Sequence, residues 1–98
     1  MGLTLAVGSA LHDFGRASTF AQFLNWVAVQ DATGGHYPQV MAVRPVECEY
    51  AGADLEQLER ELVDLARHAP EGNVRDILTE WLQMAQLAIR SREPLEFV

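Results

Sequence analysis

The sequence predicts an α+β fold: a small, mainly antiparallel β-sheet with about three α-helices packed on one face. Two observations lead there. Short stretches of strand-like alternation occur near residue 5 and near residue 48, and three longer stretches place apolar residues at helical spacing. Their order along the chain is too uneven for the regular βαβ alternation of a parallel sheet. Ninety-eight residues, about half of them hydrophobic, suit one domain spanning 1–98 that buries a core without disulfide or metal.

Leu3, Leu5 and Val7 alternate with Thr4 and Ala6 and predict a first strand, which Gly8-Ser9 ends. Residues 10–17 show no clear period and read as a loop. Ser18 is placed to cap a helix from Thr19 to about Gln30, whose stripe is Phe20, Phe23, Leu24, Val27 and Ala28, with Trp26 off its centre. Thr33-Gly34-Gly35 breaks the pattern. Residues 36–43 contain Pro38 and a short apolar run, equally compatible with an edge strand and with one helical turn.

Val46, Cys48 and Tyr50 alternate with Glu47 and Glu49, giving a strand with one apolar and one acidic face. Asp54 and Gln57 have capping-box spacing ahead of a helix whose face is Leu55, Leu58, Leu62 and Leu65, with Glu56 and Arg60 spaced to pair. Pro70 and Gly72 stop that helix. Asn73 is placed to cap the next, whose apolar face is Val74, Ile77, Leu78, Trp81, Leu82 and Ala85; Arg90 and Arg92 suit its C-terminal end, and Pro94 ends it. Leu95 to Val98 has room for a final short strand.

The net charge is -7, from fourteen acidic and seven basic residues, all of the latter Arg. That balance argues against nucleic acid and anionic membranes as partners, since both are held through basic patches. No apolar run reaches the length of a membrane helix, the N-terminus lacks the pattern of a signal peptide, and Cys48 is the sole cysteine. These features point to a cytoplasmic protein.

The residues that carry chemistry do not assemble into a known catalytic pattern. His12-Asp13 is the most catalytic-looking pair, but neighbouring side chains point apart and no nucleophile can be assigned to them. Cys48 shares its strand face with Val46 and Tyr50, which favours packing over a reactive thiol. Three His and one Cys lack metal-ligand spacing, and Gly34-Gly35 belongs to neither a phosphate loop nor a dinucleotide fingerprint. The expectation is a protein that is not an enzyme and uses no cofactor.

Charge distribution is the feature that stands out. Residues 47–64 hold seven carboxylates against Arg60 alone, whereas the acids and arginines of the rest of the chain nearly balance. A charge run is usually a solvated face. Spread over a strand and a helix, the same run has the makings of one negative surface that steers a basic protein partner. Glu47, Glu49, Glu56 and Glu59 are the candidate charges of that surface, and Trp26 and Tyr37 its candidate aromatic anchors.

Several segments resemble a known family. Met1-Gly2-Leu3-Thr4-Leu5, Tyr37-Pro38-Gln39-Val40-Met41, and Cys48-Glu49-Tyr50 followed by Leu58 and Glu61-Leu62 are similar to a small bacterial immunity family of polymorphic-toxin systems, immunity protein seventy. The chain departs from that pattern at Arg44-Pro45-Val46, where more polar residues are expected, and at Glu47, where Asp is expected. The resemblance implies a cytoplasmic antitoxin whose partner is a cognate secreted toxin, neutralised by stoichiometric covering of its active site. The rival readings are a small acidic adaptor or regulatory subunit and, behind it, a small enzyme built on His12-Asp13 or Cys48.

Overall fold

The computed structural model describes residues 2–31, 35–43 and 48–97. Its elements are β1 (Gly2–Val7), β2 (Ala10–Arg16), α1 (Ala17–Gln30), α2 (Pro38–Met41), β3 (Cys48–Tyr50), α3 (Gly52–Ala66), α4 (Asn73–Ser91) and β4 (Leu95–Phe97). The four strands form one antiparallel sheet in the order β2-β1-β4-β3, and the helices lie against one of its faces. The predicted α+β architecture is the observed one. No described helix is long and apolar enough to cross a membrane.

Residues 10–17, expected to be a loop, are instead mostly strand β2. Two features hide it. The strand reverses the usual polarity, turning Leu11 outward at 69% exposure while His12 lies on the side of the helices beside Phe14. It also contains a bulge: pairing steps from Thr4↔Asp13 to Leu3↔Gly15, so Phe14 is the extra residue. Gly15 takes it up at φ +84°, and its N–H donates to Asp13 Oδ1 at 2.8 Å. The hairpin turn needs a second left-handed residue, Gly8 at φ +57°, over which the Glu93 side chain sits so closely that a Cβ there would strike it.

The last strand holds the sheet together. β4 is only three residues long, yet it lies between β1 and β3, pairing Leu5↔Phe97 on one side and Cys48↔Phe97 on the other. Leu95 and Phe97 face the core and Glu96 faces away.

The core is aromatic at its centre. Trp81 is fully buried, with the rings of Phe20, Phe23, Tyr50 and Phe97 all within 6.3 Å of its own, centre to centre. Its indole nitrogen has no hydrogen-bond partner among the described residues. Leu58, Leu62, Leu65, Ile77, Leu78 and Trp81, the side chains predicted to pack together, all belong to this one cluster. On α1 the expected stripe holds at Phe20, Phe23 and Val27, while Leu24 is half-buried and Ala28 exposed.

The helix starts differ from the sequence reading. Ser18 lies inside α1 rather than at its cap. Ala51 occupies the cap of α3 and Gly72, at φ +108°, that of α4, both without a side-chain hydrogen bond, so neither the Asp54/Gln57 box nor the Asn73 cap forms. Arg60 donates to Gln57 Oε1 and not to Glu56. At the C-terminal end of α4, Arg92 takes the left-handed position (φ 56°) usually filled by glycine, and Glu93 N–H reaches back to the Ala88 carbonyl at 3.0 Å.

Leu62 has no exposed surface and sits mid-way along α3. Leu62→Ala is expected to lower unfolding free energy by about 2–5 kcal/mol, measured by urea denaturation. A loss below about 1 kcal/mol, the scale of a surface change, contradicts the packing described.

Candidate partner-binding surface

Among the described residues, the most extensive polar cluster lies between α3 and the segment 37–41. Pro38 opens α2, and a helix start leaves backbone N–H groups without intrahelical acceptors. Glu61 supplies the acceptor. Its Oε1 takes the N–H groups of Gln39 and Val40, each at 3.0 Å, and its Oε2 takes the side-chain amide of Gln57 at 3.1 Å. Glu61 is only 3% exposed, and a buried carboxylate is tolerable because these donors replace its water.

Two tyrosines complete the clamp. Tyr37 Oη donates to Asp64 Oδ2 at 2.6 Å, and Tyr50 Oη donates to the Gln39 carbonyl at 2.7 Å. The Gln39 amide reaches Asp54 Oδ1 at 3.3 Å. Asp54, Gln57, Glu61 and Asp64 thus form a polar stripe along α3 that grips residues 37–41. Residues 36–43 therefore contain a helical turn, not an edge strand.

This clamp reinterprets part of the acidic run. Glu61 and Asp64 face the chain's own backbone and side chains, so they are not a free field for a partner, whereas Asp54 stays exposed at the clamp's edge. Their i, i+7, i+10 spacing, with Gln57 between, was visible in the sequence as a second stripe on α3, beside the leucines.

The candidate site residues fall into separate places. Tyr37 is buried in the clamp, so it is not an exposed anchor. Trp26 is half-buried and stacks on Phe23 with centroids 6.4 Å apart. Glu47 lies outside the described residues. Glu49 is exposed on β3, opposite in direction to the core-facing Tyr50, so it points away from the helical layer. Glu56 and Glu59 lie on α3, in that layer. Glu49 therefore points away from the layer that carries Glu56 and Glu59, rather than alongside them.

Glu56 borders a groove of about 320 Å³ between the start of α3 and the end of α4, shared with Leu55, Ile89, Arg92 and Pro94. Glu59 lies between shallow grooves that also contain Arg90 on one side and Arg60 and Arg67 on the other. Arginines thus accompany the carboxylates of the helical layer.

The residues weighed for catalysis lie apart. Asp13 bonds Gly15, while His12 Nε2 lies 2.9 Å from Glu80 Oε2 on α4, close but without hydrogen-bond alignment. Cys48 is half-buried against the core on β3, at the opposite sheet edge from β2. His36 faces Asp31, whose carboxylate accepts the His36 N–H at 3.1 Å and lies 2.9 Å from its ring Nδ1. Burial pushes the Asp31 carboxyl up, but the bonds from His36 outweigh it and hold the group below its ordinary value. Among the described residues, no three His, Cys, Asp or Glu side chains are grouped to hold a metal ion. Comparison with protein-family models, with curated proteins and with solved structures gave no match to this chain.

Two measurements probe the clamp. Glu61→Ala strands buried N–H groups and is expected to cost about 2–3 kcal/mol, against less than about 0.5 kcal/mol for the exposed Glu56→Ala. Equal losses in urea denaturation contradict the assigned role. The second is alkaline. The hydrogen bond to Asp64, with burial and nearby carboxylates, pushes the Tyr37 phenol up to about 12 from 10. Burial, with Cys48 and Glu61 nearby, pushes Tyr50 higher still. A raised folded-state value means stability fully present below pH 10 and lost as pH rises beyond it. With only these two tyrosines in the chain, Tyr37→Phe is expected to halve the slope of unfolding free energy against pH between 10 and 12. An unchanged slope overturns the Tyr37–Asp64 assignment.

Proposed function

We propose that this chain is a cytoplasmic immunity protein that binds a cognate bacterial toxin and neutralises it by stoichiometric covering of the toxin's active site. The observation that carries the reading is a convergence in space. Of the stretches that bear the resemblance to the immunity family, Tyr37–Met41, Cys48–Tyr50 and the α3 stretch with Leu58, Glu61 and Leu62 fall within residues 37–62 but on three different elements. They meet in one cluster, with Glu61 on Gln39 and Val40 and Tyr50 on Gln39. Residues that resemble a family pattern and also form one structural unit have a common physical reason to occur together.

The charge supports the same reading. A chain of net charge -7 attracts basic surfaces at long range, and toxins acting on nucleic acids or nucleotides commonly have basic clefts. Covering such a cleft requires shape and charge, without turnover.

The test is co-expression with the product of the gene directly upstream. The expected result is a neighbour that is toxic alone, growth restored by this chain, and a complex that co-purifies at one to one. A neighbour that is harmless, or toxicity that persists without a complex, overturns the reading.

A further inference from the structure

The helices cover one face of the sheet, and the other face has a definite pattern. Strand pairing lines up Leu11 with Ala6, Ala6 with Glu96, and Glu96 with Glu49, a straight row across all four strands. At strand spacings near 4.8 Å the row is about 14 Å long, enough to seat a helix or a strand pair. One end is apolar, with Leu11 at 69% exposure beside Ala6, which is itself only 8% exposed. The other end is acidic, with Glu96 half-buried and Glu49 exposed. Asp13, opposite Thr4, adds an exposed carboxylate next to the apolar end.

Two further observations give the row a direction. Glu49 and Glu96 are direct cross-strand partners, an arrangement in which like charges repel and destabilise the sheet. The described arginine side chains, Arg60, Arg67, Arg75, Arg90 and Arg92, all lie on α3 and α4 or at their ends, in the helical layer. Glu56, Glu59 and Glu71 of the helical layer therefore have arginine neighbours, and the carboxylates of the open face have none among the described side chains.

We propose that the uncovered sheet face, along the row from Leu11 to Glu49, docks a protein partner whose surface presents arginine or lysine side chains beside an apolar patch. This rests on the binding-protein reading above and assigns it a face. The basic groups of such a partner settle on Glu49 and Glu96 and relieve their mutual repulsion, while its apolar patch covers the exposed Leu11. A second copy of the chain is the wrong occupant, because face-to-face pairing sets the carboxylates either against one another or against the apolar Leu11 end, and neither supplies them a cation.

The probe is a synthetic helical peptide with leucines along one side and arginines flanking them, followed by backbone amide shifts of the whole chain. The expected shifts centre on Ala6, Leu11, Glu49 and Glu96. The double change Glu49→Gln, Glu96→Gln is expected to weaken peptide binding about fivefold at low salt and much less at high salt. Glu56→Gln with Glu59→Gln is expected to change it less than twofold, and Leu11→Ser to weaken it at both salt concentrations. Because the first double change removes a like-charge pair, its thermal midpoint should equal or exceed the parent's, which separates lost binding from lost folding. Shifts centred on α3 and α4, shifts spread evenly over the carboxylates, or parent-like binding by the double variant overturns the proposal. So do concentration-dependent shifts without peptide, which indicate self-association. With the upstream gene product as ligand, capture undiminished by the double change overturns the face and leaves the immunity reading standing. Peptide binding at the row without toxin capture keeps the face and removes the immunity reading.

Discussion

A buried carboxylate needing donors is the constraint around which this structure is arranged. Glu61 sits at the centre of α3 with almost no water, so the chain must bring N–H groups to it, and Gln39 and Val40 do so from the start of α2. That requirement fixes residues 37–41 against α3. Tyr50 then ties β3 to the same segment through the Gln39 carbonyl, and Tyr50 also packs on Trp81 at the core's centre. Removing the carboxylate breaks more than one bond, because the groups left behind are buried and unpaired.

The helical layer was largely legible in the sequence. Leucines at 55, 58, 62 and 65 and the broad apolar face of α4 are strong periodic signals, and both faces pack where they point. The helix ends were less so, because several plausible caps compete within two or three residues and packing decides among them. β2 was missed for a local reason: its outward residue is Leu11, its inward one His12, and a bulge interrupts the alternation at Phe14. A period-two signal cannot survive an inverted pair and an inserted residue.

The candidate site shows the same limit in another form. The concentration of acid in residues 47–64 is real, but sequence does not say which carboxylates face inward. Three of them serve the clamp on α3, and the strand pleat turns Glu49 away from the layer that carries Glu56 and Glu59. Conversely, Glu96 lies outside that run and becomes the direct neighbour of Glu49 only through the pairing of β3 with β4. Charge counted along a chain and charge met on a surface are different quantities, and strand register converts one into the other.

The central position of β4 bears on how the chain is made. β1 and β2 are joined by a tight turn and can pair soon after synthesis, but β3 has no strand partner until residues 95–97 exist, and Leu5 waits for Phe97 across nearly the whole sequence. Until residues 95–97 have been made, the nascent chain therefore has at most a half-sheet with two open edges, a state in which wrong pairing with other chains competes with the right one. The loop that finally closes is long, so the entropy of closure falls late and all at once. Vectorial synthesis and the topology of this sheet run in opposite directions.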